Sequence, residues 1–163
     1  MKALFIGGIK SGKSKHAELF ALRQAKKKPY YLATTEFFDD EMKERIEHHK
    51  KQRKKRFKTL EEPLKLAKAI KKCDDIVVIE DISMWINNML YHGKEKKIEK
   101  EIEKLLRCKQ DIVFVLNNVG ESVVSDNVLV RRFCDLNGIV SQMIAKECDA
   151  VYNVVAGVTQ RIK

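Results

Sequence analysis

Residues Gly7-Gly8-Ile9-Lys10-Ser11-Gly12-Lys13-Ser14 fit the spacing G-x-x-x-x-G-K-[ST]. A loop of this composition between a strand and a helix lines up successive backbone N–H groups at a helix amino terminus, where they gather phosphate oxygens. Glycine serves where backbone and phosphate approach too closely for a side chain. In such a loop Lys13 reaches the β- and γ-phosphates of a nucleoside triphosphate, and the Ser14 hydroxyl ligates Mg²⁺. The flanks supply the context this needs. Ala3-Leu4-Phe5-Ile6 reads as a buried strand, and Lys13 to Lys27 as a helix with Ala17, Phe20, Ala21 and Gln24 at helical spacing.

Triphosphate chemistry asks for a second acidic element at the end of another parallel strand. Ile76-Val77-Val78-Ile79-Glu80-Asp81 has that form, with carboxylates at the ligand-binding edge of a sheet. Either Glu80 or Asp81 serves as the metal or nucleotide ligand on this pattern, while Asp81 also suits the cap of the following helix.

A third cluster lies between Lys43 and Lys58, where nine Lys or Arg meet two Glu, a net +7 of the chain's +10. His48 and His49 sit within it, on a helix expected from about Asp40 to Arg53 with Asp39 as its cap. Each residue turns about 100° around a helix axis. With Met42 and Ile46 on the core face, His49 falls near that face and His48 about 200° from Ile46, on the opposite side. His48 is thus the histidine able to meet a ligand. The surrounding cations hold it neutral and nucleophilic near neutral pH.

The elements that must position these groups alternate strand and helix, the order of an α/β domain with a mainly parallel sheet. Tyr30-Tyr31-Leu32-Ala33 forms a strand ending in the turn Thr34-Thr35-Glu36, and Pro63 sits near the start of a helix. A helix through Met84-Trp85 and Asn88-Met89 follows, then an amphipathic helix from Glu95 to Leu106. A strand from Ile112 to Leu116, a helix from about Val128 to Cys148, a strand near Val151 to Val155 and a short tail, Gln160 to Lys163, complete the chain. With 163 residues, 44% hydrophobic and 34% charged, seven Gly and two Pro, the composition fits one domain over residues 1–163 and excludes collagen-like and low-complexity chains. The aliphatic runs fall far short of the roughly 20 residues that cross a bilayer. Four cysteines without a Cys-x-x-Cys pair and an amino terminus without a secretory h-region predict a reduced, cytoplasmic protein.

The chain resembles the bifunctional adenosylcobinamide kinase / adenosylcobinamide-phosphate guanylyltransferase family. The resemblance spans Gly7 to Glu18, Tyr31 to Thr34, Asp39 to Met42, Arg45-Ile46-Glu47-His48-His49-Lys50, then Glu80, Ser83, Trp85 and Asn88, and later Asn117, Val119-Gly120, Asn127, Arg131, Phe133, Asp135, Gly138 and Gln142. It implies a RecA-like parallel sheet, a homo-oligomer (a trimer in the best-known case), and two reactions. ATP or GTP phosphorylates adenosylcobinamide. The residue matching His48 then takes GMP from GTP and passes it to adenosylcobinamide phosphate. The implied nucleotide site is Gly7 to Ser14, Ala33 to Thr35 including Thr34, His49, Lys50, Lys51, Gln52, Glu61 and Glu80. The chain departs from the family pattern at Lys51-Gln52, Asn118, Cys134 and Ser141.

Two other functions fit parts of the sequence: a phosphate-loop kinase for another small metabolite, and a RecA-like ATP-binding module gripping nucleic acid through the basic stretch. Phe57 is the only aromatic residue in that stretch, so stacking support for single strands is thin and no nucleic acid is favoured.

Overall fold

The structure is a computed structural model that describes residues 1–36, 55–119 and 124–163. Its strands are β1 (Lys2–Gly7), β2 (Tyr30–Ala33), β3 (Lys58–Glu61), β4 (Val77–Glu80), β5 (Ile112–Asn117), β6 (Ala150–Val155) and β7 (Val158–Arg161). They form one sheet in the order β3-β2-β4-β5-β1-β6-β7, parallel throughout except for β7 against β6. The helices are α1 (Lys13–Gln24), α2 (Leu66–Ile70), α3 (Ile82–Tyr91), α4 (Ile98–Leu106) and α5 (Val128–Glu147), with a 3-10 turn at Glu95–Lys97.

Strand side chains alternate between two apolar layers, as the period of two requires. Leu4, Leu32, Val77, Ile79, Ile112, Phe114 and Leu116 face a layer filled by α2 to α5. Trp85 and Ile86 of α3, Ile98 and Ile102 of α4, and Val140 and Ile144 of α5 complete that layer. Ala3, Phe5, Tyr31, Val78, Val113 and Val115 face the other side, where α1 presents Ala17 and Ala21. Small residues on α1 let it lie close to the sheet, which fixes the position of the loop at its start. Phe5 stacks on Tyr152 at 4.6 Å between ring centroids and meets Phe20 edge-on at 5.5 Å.

Two expectations change, and one strand has no counterpart among them. The residues after the basic stretch form strand β3, on the edge of the sheet, where Lys58, Thr59 and Glu61 are exposed and only Leu60 is half-buried. Such a strand carries no apolar run because it has almost nothing to bury, and charge on an edge discourages further pairing. The tail is strand β7, pairing Val158 with Val155 and Arg161 with Tyr152. Helix α1 stops at Gln24, since the N–H groups of Lys26 and Lys27 turn to the Asp75 carboxylate. The helix predicted over residues 40–53 lies outside the described residues.

Gly7 and Gly8 are neighbours with opposite demands. A Cβ on Gly7 would collide with the Val154 carbonyl and lie 2.6 Å from Ser11 Oγ, whereas one on Gly8 meets nothing within 4 Å. Gly7→Ala should therefore lose about 1–3 kcal/mol in urea denaturation, the usual range for overpacking. Gly8→Ala should stay within about 0.5 kcal/mol of the parent, as an open surface position.

Candidate functional site

The start of α1 differs from those of α3 and α5, and from that of α4, which lacks a side-chain cap but carries Glu99 and Glu101 in its first turn. Asp81 caps α3, accepting the Met84 N–H, and Asn127 caps α5, accepting those of Leu129 and Val130. The residue before α1 is Gly12, at φ 96°, with no side-chain cap and no acid in the first turn. Its leading N–H groups and the positive end of the helix dipole are thus left for an anionic ligand. Lys10, at φ 56°, and Gly12 shape the loop, and the Ser11 N–H closes onto the Gly8 carbonyl at 3.2 Å. Lys13 is 7% exposed, and its ammonium donates to the Gly8 carbonyl at 3.3 Å, across the loop it would serve.

Opposite this helix end stands β4. Ser14 Oγ donates to Glu80 Oε1 at 2.6 Å, while Glu80 Oε2 is buried and has no hydrogen-bond partner among the described residues. Burial, and then the charge of Asp81, raise the Glu80 carboxyl above its ordinary range, with the Ser14 hydroxyl and Lys13 pulling the other way. Asp81 is raised by burial too, but its oxygens are occupied. Oδ1 accepts the Met84 N–H at 2.6 Å and Oδ2 accepts Asn117 Nδ2 at 3.0 Å. Asp81 caps and braces; Glu80 keeps an acceptor in reserve.

The bracing extends into α3 and α5. Ser83 Oγ donates to Asn137 Oδ1 at 2.7 Å and accepts the Asn117 N–H at 3.0 Å, and Asn137 Nδ2 donates to the Asn117 carbonyl at 2.9 Å. Sequence reasoning gave these three residues no role. The available signal was Asn117-Asn118 closing β5 at the same sheet edge as Glu80-Asp81 closing β4.

The remaining expected residues are spread along that edge. Ala33 ends β2 opposite both Glu80 and Glu61. Thr34 is fully buried and donates to the Asp81 carbonyl at 2.8 Å, while its own carbonyl accepts Asn88 Nδ2 at 2.7 Å. It ties β2 to β4 and α3. Thr35 is half-buried beside it, and Glu61 is exposed at the end of β3. His48, His49, Lys50, Lys51 and Gln52 lie outside the described residues. Of the basic stretch, Arg56 pairs with Glu18 at 3.6 Å, and Lys58 donates to Tyr30 Oη at 3.1 Å and lies 3.5 Å from Asp74.

Mg²⁺ takes hard oxygen ligands in small number and keeps several waters. The Ser14 hydroxyl and the unpartnered Glu80 oxygen, at the foot of an uncapped helix, are the donor set that fits it. Asp81, with both oxygens engaged, is not.

A carboxyl raised in the folded state costs stability as pH climbs from its unfolded value through its folded one, because the native state then holds the proton more tightly. Ligand-free Glu80→Gln protein should therefore melt several degrees above the parent at about pH 8, with the gap closing by about pH 4.5. Thermal melts at the two pH values check this, and a variant less stable than the parent at the higher pH contradicts it.

Known proteins resemble the chain in fold and in sequence. The chain covers 93% of itself and 69% of a KaiC-like protein from Pyrococcus horikoshii at a TM-score of 0.50 and 13% identity, a likeness of fold alone. The sheet is the RecA-like one expected. Bifunctional adenosylcobalamin biosynthesis protein CobP of Pseudomonas aeruginosa is 34% identical over 170 residues, covering all of this chain and 98% of that protein. Bifunctional adenosylcobalamin biosynthesis protein CobU of Salmonella typhimurium is 36% identical over 183 residues, covering both chains entirely. The CobU family description, cobinamide kinase / cobinamide phosphate guanyltransferase, matches residues 3–162. Matched from end to end, the chain belongs to the cobinamide kinase / cobinamide phosphate guanyltransferase family.

Proposed function

We propose that this chain performs both reactions named for its family, phosphorylating adenosylcobinamide and then transferring GMP to the product, with nucleotide held at the carboxyl edge of the sheet. The observation that carries the reading is the uncapped, Lys13-bearing start of α1 facing the half-satisfied Glu80 carboxylate. Family membership across the chain supplies the substrates.

In the kinase step the hydroxyl oxygen of adenosylcobinamide attacks the γ-phosphorus. A new P–O bond forms, the bond to the β-phosphate oxygen breaks, and the hydroxyl proton is released. The loop N–H groups from Gly8 to Ser14, except that of Ser11, which is bonded to the Gly8 carbonyl, orient the triphosphate, and Lys13 offsets the charge gathering between its β- and γ-phosphates. Mg²⁺, when held by Ser14 and Glu80, supplies charge neutralisation on the phosphates.

In the transfer step an imidazole nitrogen of His48 attacks the α-phosphorus of GTP, forming a P–N bond as pyrophosphate departs. A phosphate oxygen of adenosylcobinamide phosphate then displaces the imidazole and restores it. Splitting one transfer into two in-line displacements is covalent catalysis. His49, Lys50, Ala33, Thr34, Thr35 and Glu61 complete the nucleotide site in this reading, supported by their match to the family pattern, together with Lys51 and Gln52, which follow in sequence where the chain departs from it. The same reading makes the protein a cytoplasmic homo-oligomer. Exposed Val128, Leu129 and Val130 at the start of α5 offer apolar surface for such contacts. Among the described residues no helix is long and apolar enough to cross a membrane.

Lys13→Ala should abolish phosphorylation and raise the dissociation constant for ATP by at least about tenfold, the scale of one lost charge-assisted contact. His48→Ala should lose guanylylation and keep the kinase. Mass spectrometry of peptides after incubation with GTP, kept away from acid, should find GMP on His48. An adduct on His49, or active transferase with none on any histidine, overturns the assignment.

A further inference from the structure

A phosphate loop works only if its free N–H groups point to one place, and this loop contains a residue that resists the required shape. Lys10 is a non-glycine residue at φ 56°, a conformation that costs about 1 kcal/mol or more and persists only where the surroundings enforce it. The enforcement comes from the far end of the chain. Strands β6 and β7 are joined by Ala156-Gly157, at φ 49° and 81°, and this turn lies against the loop. The Gly157 N–H donates to the Ser11 carbonyl at 2.8 Å. Its carbonyl meets His16 Nε2 at 2.9 Å. A carbonyl oxygen only accepts, so His16 carries its proton on Nε2 there. Gly12 fits between the two: a Cβ on it would lie 3.5 Å from Gly157 Cα and 3.8 Å from the His16 ring.

The Ser11 N–H is taken by Gly8 and its carbonyl by Gly157, so both peptide planes between Lys10 and Gly12 are tied. The His16 ring carries the tie into the first turn of α1, whose own N–H, at His16, bonds to the Gly12 carbonyl at 3.1 Å. We propose that His16 and the Ala156-Gly157 turn form a clamp that pre-sets the phosphate loop for nucleotide, with His16 as a positioning residue that does not touch the ligand. The proposal rests on the reading of Gly7 to Ser14 as the triphosphate cradle. Pre-set donors bind more tightly because the ordering is done before the ligand arrives.

The test uses the full chain and a fluorescent ATP analogue in equilibrium titrations, with thermal melts alongside. His16→Ala should raise the dissociation constant about five- to tenfold, the worth of one hydrogen bond. His16→Gln places an amide N–H near the position of Nε2 and should return affinity to within about twofold of the parent, recovering that bond. Gly157→Ala, whose Cβ meets nothing within 4 Å but whose φ is strained for alanine, should weaken binding in the same direction. Combined with His16→Ala it should add less than its separate effect, because both act through one contact. Should His16→Ala fail to fold, His16→Asn, too short to reach the carbonyl, replaces it in the comparison with His16→Gln. Parent-like affinity in the variants lacking the donor, or a glutamine that does not rescue, overturns the clamp. Lys13→Ala separates the two levels: if it binds the analogue as the parent does, the cradle reading itself fails.

Discussion

Glu80 is a carboxylate that the fold buries without giving it a full set of partners. One oxygen takes the Ser14 hydroxyl and the other takes nothing among the described residues. An unmet buried acceptor costs about 1–3 kcal/mol, which only a well-packed sheet can carry. Strands β1, β4 and β5 supply that packing, with Phe114, Leu4 and Ile79 essentially sealed from solvent. Each such side chain contributes about 1.5–3 kcal/mol on burial. Two of them offset the defect, and the layers hold many more. The placement of Glu80 therefore depends on a hydrophobic core built on both faces of the strand that ends in it.

Adjacent residues in the chain have opposite duties here. Glu80 closes a strand and keeps an acceptor open, while Asp81 opens a helix and has its acceptors filled. Lys13 bears electrostatically on both. The same contrast runs through the helices. Where α3 and α5 begin, side chains satisfy the backbone and the helix end is purely structural. Where α1 begins, glycine stands in place of a cap and the backbone is available for chemistry. Helix α4 also begins without a side-chain cap, but Glu99 and Glu101 stand in its first turn, whereas the first turn of α1 holds no acid.

Local patterns made much of this legible. The loop from Gly7 to Ser14 and the strand ending at Glu80-Asp81 are contiguous, and the cap role of Asp81 follows from its place before an apolar helix. The Ser83–Asn117–Asn137 network was not legible, because three short polar residues from α3, β5 and α5 meet only once the sheet is assembled. Strand β3 escaped because an edge strand needs no apolar run. Strand β7 escaped because Val158 and Arg161 find partners only through a turn with two left-handed residues, one of them alanine. Thr34 reads as a ligand residue from its family match, yet its hydroxyl is spent on the Asp81 and Glu80 carbonyls. In the structure it ties the end of β2 to β4 and α3.

The sheet order sets a further constraint on how one edge serves two reactions. From β1, which carries the phosphate loop, the order runs through β5, β4 and β2 to β3, which ends in Glu61. Four strand spacings separate them, about 19 Å at the usual interval. Side chains as long as Lys13 and Glu61 cannot both hold one phosphate across that gap. Under the proposed function the edge divides into a phosphate-handling end at β1 and β4, with Lys13, Ser14 and Glu80, and a second end at β2 and β3, with Thr35 and Glu61. Attack at a γ-phosphorus and attack at an α-phosphorus need different atoms presented to the acceptor. A triphosphate anchored only by the loop at β1 presents its terminal phosphorus, whereas presenting the α-phosphorus to a histidine requires contacts farther along the nucleotide. The parallel order β3-β2-β4 sets Thr35 and Glu61 at the same edge as the phosphate loop, so under the proposed function the second chemistry draws on the edge strand that the sequence hid best.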